Sequence, residues 1–184
     1  MKVHFFDEPF VYTGKELRSH FVRARTGMYG DAAMAWVGPC EVATETLVDL
    51  EDREAGHIIR ARSMLHFIVE VFENDLLRAV YRQRLLVSIA ADALREMTGQ
   101  PILRKGDDLF VGSGKLSVSI ATASPVSTLI HFGINVDGAG APVETADLLT
   151  LSVDPRTLAE RVLGRFAAEE EGIARARSKV RPVP

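Results

Sequence analysis

Polar side chains suited to small-molecule recognition recur at every second position in two neighbouring stretches of the chain. They are Lys115, Ser117 and Ser119 in the first stretch, and His131 and Asn135 in the second. Alternation with period two indicates β-strands whose successive side chains point to opposite faces. If the two strands pair as a hairpin, an ammonium, two hydroxyls, an imidazole and an amide can share one surface. Gly133 would let a ligand approach the backbone there.

The segment from Arg104 to Val136 predicts three short strands that would carry this surface. Gly112-Ser113-Gly114 and the residues around Pro125 supply the intervening turns. A half-solvated antiparallel sheet has the same alternation by default, with one face on the core and the other in water. Alternation therefore leaves two interpretations open, a ligand-binding face and an ordinary solvated one.

A short basic segment supplies candidate contacts for an anion. Thr13-Gly-Lys-Glu16 has the capping-box pattern, which predicts a helix from about residue 14 to residue 27. Arg18 and His20 lie on this predicted helix, and guanidinium groups match the geometry of phosphate and carboxylate oxygens. A solvated charged face is the alternative interpretation. Two further candidate anion contacts are Arg82 and Arg104.

Other reactive side chains have weaker patterns. Cys40, the single cysteine, can be a nucleophile only if its pKa is lowered, and a buried inert thiol is the alternative. His66 and Glu70 share one face of an apolar strand predicted over 64–72. They could bind a metal ion as a pair, or His66 could be a hydrogen-bonded core histidine. An acidic loop can bind Mg²⁺ or simply be solvated, and its acids are Asp49, Glu51 and Asp52. No dedicated ligand spacing is present, so the sequence predicts no metal site.

The composition predicts a cytoplasmic protein with one domain over residues 1–184. The net charge of −3 gives no indication of nucleic-acid binding, and no apolar run approaches the roughly 18 residues of a membrane span. Caps predict helices over 76–98 and from 155 to about 177, followed by a basic tail over 178–184. An edge strand between Val3 and Tyr12 would allow a homodimer through the sheet.

The central stretch resembles a known family of enzymes. Its motifs, in chain order, are Asp107-Asp108-Leu-Phe-Val, a glycine-rich turn, Lys115-Leu-Ser117, and Ile130-His-Phe-Gly133-Ile-Asn135-Val. Motifs of this type follow the same order in the central sheet of biotin and lipoate protein ligases. Most of the chain also resembles a small prokaryotic family of unknown function grouped with that fold. The resemblance implies an α+β fold of the class II synthetase and biotin ligase type, a mostly antiparallel sheet with helices packed on it.

The resemblance also implies a function. Lys115 would hold the carbonyl or phosphate oxygen of an acyl-adenylate, and Asp108 would help place Mg²⁺ or the adenosine. ATP and Mg²⁺ are thus implied cofactors, and the partner would be a nucleotide or a carboxylic acid. Gly38-Pro39-Cys40 stands where the ligases carry an arginine- and glycine-rich loop over the adenylate. Two alternatives therefore remain, an ATP-independent acyltransferase or hydrolase and a binding module without catalysis.

Overall fold

A twisted five-stranded sheet, backed by two long helices, forms the centre of a computed structural model that describes residues 1–183. Its strand order is β1-β2-β3-β8-β7, with β1 parallel to β2 and the other pairs antiparallel. Strands β4, β5 and β6 make a separate three-stranded sheet. The strands are β1 (Lys2–Phe5), β2 (Ala32–Val42), β3 (Ile59–Val71), β4 (Leu103–Lys105), β5 (Asp108–Val111), β6 (Gly114–Lys115), β7 (Ser117–Ala123) and β8 (Thr128–Asp137).

The two long helices cover one face of the sheet. The helices are α1 (Phe21–Thr26), α2 (Leu50–Glu54), α3 (Leu76–Thr98) and α4 (Pro155–Ser178), with a 3₁₀ turn at Thr44–Thr46. Asp75 and Asp154 cap α3 and α4, and each accepts a backbone N–H three residues later. Side chains of both helices bury Phe67, Phe132 and other apolar residues of the sheet. These caps were visible in the sequence, and the helices predicted from them are confirmed.

The opposite face of the sheet carries a second, aromatic core. Its centre is Trp36, whose ring stacks on Phe10 at 4.3 Å between centroids, with Tyr12 and Phe21 beside it. β2 supplies Trp36, and the residues between β1 and β2 supply Phe10, Tyr12 and Phe21. The second core covers only part of the face, so the remainder of the sheet stays open to a cleft.

The helix predicted from residue 14 is wrong in its extent. The Thr13 N–H does donate to Glu16 Oε2 at 2.7 Å, as a capping box requires. However, Gly14 at φ 87° and His20 at φ 63° are left-handed, which confines α1 to its six residues. The buried carboxylate of Glu70 accepts the His20 N–H at 2.6 Å and thereby stabilises the conformation that interrupts the helix.

The predicted surface shared by five polar residues is also wrong in part. In the β7–β8 pair, Ser117 lies opposite Ile134 and Ser119 opposite Phe132, so both serines face the helical side, and Ser119 also borders the cleft. Their hydroxyls are satisfied there: Ser117 Oγ accepts the Leu109 N–H at 2.9 Å, and Ser119 Oγ accepts from Gln83 at 2.7 Å. His131 and Asn135 occupy the other face. Cross-strand register, which the sequence did not specify, decides this separation.

In the part of the chain that the structure describes, neither long helix carries an apolar stretch of the length that a bilayer requires.

Candidate functional site

A cleft of about 660 Å³ opens on the face of the sheet opposite α3 and α4. The loops over 44–58 and 138–147 form its rim. Apolar side chains cover much of its wall, and they include Val42, Leu47, Ile59, Met64, Val118 and Ile120. Polar side chains also line it and include Tyr12, Asp107, Asp108, Lys115 and His131. This combination of apolar walls and a few convergent polar groups is typical of small-molecule sites.

Lys115 and Asp108 form an ion pair inside the cleft, with 2.8 Å between Nζ and Oδ2. The Lys115 and Asp108 side chains are 33% and 26% exposed, so a ligand in the cleft can reach both. Burial raises the pKa of Asp108, and the hydrogen bond and charge of Lys115 partly oppose this effect. An ammonium has three N–H donors, so Lys115 can contact a ligand oxygen while it keeps Asp108.

The backbone of Lys115 is held on both sides. Its N–H donates to Glu144 O at 3.0 Å, and its carbonyl accepts the Ala146 N–H at 3.1 Å. The Asn135 amide also donates to Lys115 O at 3.0 Å and to Ala146 O at 3.2 Å. Asn135 therefore acts as a positioning residue that fixes the strand bearing Lys115. A Cβ at Gly114 would lie 2.8 Å from Ala146 N, so only glycine lets the two segments approach.

Two buried histidines lie beneath the cleft and contact each other. His66 Nδ1 and His131 Nε2 are 3.1 Å apart, and His66 Nε2 is 3.2 Å from Gly38 O. Burial lowers the pKa of His66 to about 4. Burial lowers the pKa of His131 well below its usual value, and the neighbouring His66 adds a smaller effect in the same direction. Both rings are therefore neutral near pH 7.

Aromatic rings fix the orientation of the histidine pair. Tyr12 stacks on His131 at 3.7 Å with 8° between the ring planes, and Trp36 stacks on His66 at 4.8 Å. A Cβ at Gly133 would lie 2.9 Å from Met64 Sδ and 3.3 Å from His131 Cε1. Gly133 thus makes room for neighbouring side chains, whereas the sequence had suggested that it makes room for a ligand.

Four predicted anion contacts lie away from the cleft. Arg82 pairs with Glu73 and with Glu170 on the helical side of the sheet, where ion pairing occupies its guanidinium. Arg104 is exposed and donates to Gly106 O. The guanidinium of Arg18 lies 5.6 Å from the ring of Phe21. His20 borders a separate shallow depression of about 300 Å³ beside α1.

Cys40 is fully buried in β2. Burial is the main reason that the pKa of its thiol is raised to about 12, and the negative charges of Glu16 and Glu41 contribute less. A thiol of this kind is not ionised near pH 7 and cannot serve as a nucleophile. β2 continues through residues 38–40 with a bulge between Gly38 and Cys40, so the chain forms a strand where the sequence resemblance had suggested the counterpart of the ligase loop. The alternative of an inert core cysteine fits this placement.

The candidate metal ligands have other roles. Asp49 caps α2 by accepting the N–H groups of Glu51 and Asp52, and Asp52 contacts His57. Glu70 accepts from His20 and from Ser127. Over residues 1–183, no group of three His, Cys, Asp or Glu side chains is arranged to hold a metal ion.

Sequence patterns did not indicate Tyr12 as a cleft residue. It belongs to a segment with no strand alternation, and it reaches the cleft through a bridge to Cys40. Burial raises the pKa of the Tyr12 phenol above its usual value, and Cys40 and Glu16 raise it further by smaller amounts. The hydroxyl therefore keeps its proton near neutral pH. Only the tertiary stack on His131 identifies it.

Residues 1–181 match the family described as a domain of unknown function, DUF366. The chain belongs to this family. A relative in Methanocaldococcus jannaschii, an uncharacterised protein, is 33% identical to this chain over 190 residues, which cover 100% of this chain and 86% of the relative. A protein of unknown function from Pyrococcus horikoshi superposes with a TM-score of 0.93 at 35% identity and 100% coverage of both chains.

Two structures of named enzymes share the fold at low identity. A biotin protein ligase from Aquifex aeolicus in complex with biotin has a TM-score of 0.60 at 16% identity, covering 93% of this chain and 70% of the ligase. A T. acidophilum protein described as a lipoate protein ligase, with bound lipoic acid, has a TM-score of 0.58 at 15% identity, covering 91% and 85%. The α+β fold of the biotin and lipoate ligase type, expected from the sequence, is confirmed. At this level of sequence identity the similarity shows only the fold. Any activity must be inferred from the residues of the site.

Proposed function

We propose that the cleft binds a small amphipathic carboxylic acid or its activated acyl form, with Lys115 contacting the carboxyl or acyl oxygen. The observation that carries this proposal is the position of the Lys115 ammonium in a cleft with largely apolar walls. Asp108 pairs with the ammonium, and the Asn135 amide holds the Lys115 backbone through a hydrogen bond to its carbonyl. The two enzymes of similar fold hold biotin and lipoic acid, which are both amphipathic carboxylic acids.

The reaction that we propose first is adenylation of the bound acid by ATP and Mg²⁺. The rim restricts how ATP can bind: residues 44–58 carry five acidic side chains and one arginine, a formal charge of −4. Such a rim repels a free triphosphate more strongly than one whose negative charge Mg²⁺ has partly neutralised. Lys115 would stabilise negative charge that develops on the acyl oxygen during the reaction.

A second candidate is acyl transfer or hydrolysis without ATP. It is favoured by the continuous β2 strand at residues 38–40, where a phosphate-binding loop is expected for an adenylating enzyme. The inert state of Cys40 excludes a cysteine acyl-enzyme at that position, so Lys115 would act alone. A pocket that binds acids without any turnover is the third candidate, which requires the same Lys115 contact.

Pyrophosphate exchange separates these candidates. The protein is incubated with ATP, Mg²⁺, labelled pyrophosphate and a panel of carboxylic acids, while acid binding is followed by calorimetry. Exchange with any acid supports adenylation. Acid binding without exchange removes the ligase activity and leaves the second and third candidates, which turnover of acyl thioesters then distinguishes. Absence of acid binding contradicts the proposal as a whole.

Replacement of Lys115 by methionine is expected to weaken binding of any acid from the panel by at least about tenfold. The substitution keeps the apolar stem and removes a charge-assisted hydrogen bond, which contributes roughly 1.5–3 kcal/mol. It also leaves the Asp108 carboxylate without its partner. The double variant Lys115→Met/Asp108→Asn therefore tests whether repulsion between Asp108 and the ligand carboxylate adds to the loss of affinity. Lys179→Ala, at the exposed end of α4, is the matched control and should bind as the wild type does. Equal affinity in Lys115→Met and wild type would contradict the role of Lys115.

A further inference from the structure

The histidine pair beneath the cleft forms a chain of hydrogen bonds with a defined direction. Gly38 O can only accept, so the His66 Nε2 atom, 3.2 Å away, must carry a proton. A neutral imidazole has one N–H, which leaves His66 Nδ1 as an acceptor. His131 Nε2, 3.1 Å from that atom, must then be the donor. The same rule makes the remaining nitrogen of His131, Nδ1, an acceptor.

The His131 Nδ1 atom faces the cleft. Within residues 1–183, every enclosed side-chain nitrogen or oxygen atom has a hydrogen-bond partner. The hydrogen bond of the His131 ring within these residues is the one from Nε2 to His66, and His131 lines the cleft. Nδ1 is therefore reached from the cleft rather than enclosed by protein.

Neighbouring side chains cannot readily use this acceptor. Tyr12 lies flat on the imidazole with 8° between the planes, so its hydroxyl lies in a plane parallel to the imidazole, whereas the Nδ1 lone pair points along the imidazole plane itself. Lys115, a cation that also lines the cleft, directs an N–H to Asp108. The residue as a whole is only 3% exposed, so the lone pair opens into a confined space. A ligand that covers it without donating a hydrogen bond would leave a buried acceptor unpaired.

We infer that His131 is a specificity-determining residue, and that the ligand of the cleft carries an N–H or O–H donor in addition to the carboxyl group that meets Lys115. This inference rests on the proposed function of the cleft. His66 is the positioning residue, since its contact with Gly38 fixes which nitrogen of His131 is protonated. The class of ligand is thereby narrowed from any amphipathic acid to acids that also carry an amide, urea, amine or hydroxyl group.

Histidine-selective nitrogen NMR tests the hydrogen-bond direction without a ligand. At pH 7, His66 and His131 should both be neutral with the proton on Nε2. In His66→Phe, which keeps a ring against Trp36 but offers no acceptor, His131 should become a mixture of both tautomers. A purely structural role of His66 would leave the His131 tautomer unchanged. A proton on His131 Nδ1 in the wild type, or a charged ring, would overturn the inference even if the variant fails to fold.

Binding of two matched acids tests the specificity. The probes are the N-acetyl derivative of aminohexanoic acid, which has an amide N–H, and acetoxyhexanoic acid, which has an ester oxygen in its place. The wild type should bind the amide at least about tenfold more tightly than the ester, and His131→Phe should bind both equally. Equal binding by the wild type, or a preference that persists in His131→Phe, would overturn the inference. If neither acid binds, the proposed function is contradicted, and the tautomer measurement still decides the role of His66.

Discussion

Replacement of Gly38 by alanine is expected to lower the free energy of unfolding by about 3–5 kcal/mol, through overpacking and a broken hydrogen-bond network. A Cβ at this position would overlap the carbonyl oxygen of Phe10 and lie 3.0 Å from its carbon. That carbonyl accepts the Trp36 Nε1–H at 3.0 Å, so it cannot retreat without loss of this bond. The shift would also disturb Gly38 O, the acceptor for His66.

Thermal and denaturant unfolding measure this effect, and the midpoint should fall by roughly 10 °C or more for a chain of this size. Gly164→Ala is the matched control, because Gly164 lies within α4 and a Cβ there meets no atom within 4 Å. Alanine should stabilise that helix by up to about 1 kcal/mol. A Gly38→Ala protein as stable as the control would show that the crossing of Phe10 over β2 is looser than the structure indicates.

As the pH is lowered, the free energy of unfolding is expected to start falling near pH 6.5, well above the pH range in which carboxylates titrate. Burial lowers the pKa of His66 to about 4 and that of His131 well below its usual value, while both have a pKa near 6.5 in the unfolded chain. Below pH 6.5 the unfolded state binds more protons than the folded state, so stability falls as the pH falls. Each histidine should contribute about 1.4 kcal/mol per pH unit, between pH 6.5 and about 4 for His66.

Urea unfolding at a series of pH values measures this loss. The double variant His66→Phe/His131→Phe should lose the slope between pH 6.5 and 4, whatever its absolute stability. His57→Gln should keep the slope, because the His57 side chain is 62% exposed. Asp108 acts in the opposite direction, since burial raises its pKa and a folded state that takes up its proton gains stability in acid. Wild-type stability that stays constant down to pH 4.5 would contradict the neutral buried pair.

The helices were predictable because their signals are local. Asp75 and Asp154 each supply a capping carboxylate within three residues of its N–H partner, and Gly99 ends α3 in the left-handed conformation that glycine favours. The same reasoning failed in part at residues 14–27, where the local capping interaction is present but only Phe21–Thr26 is helical. A buried carboxylate fifty positions away in the chain, that of Glu70, holds His20 in a conformation that a local pattern cannot predict.

The sequence by itself determined the long helices, β8 and the motifs around Lys115, because periodicity, caps and motif order lie within short segments of the chain. It predicted three strands over residues 104–136, where the structure has five, β4 to β8, and places β6 and β7 in different sheets. The tertiary structure decided which of these residues meet. The register of β7 against β8 turned Ser117 and Ser119 towards α3, and ion pairing with Glu73 and Glu170 kept Arg82 on the helical side. It also joined Tyr12, His66 and His131 from three distant segments. Contacts between distant segments depend on strand register and chain crossing, and no spacing along the sequence encodes them.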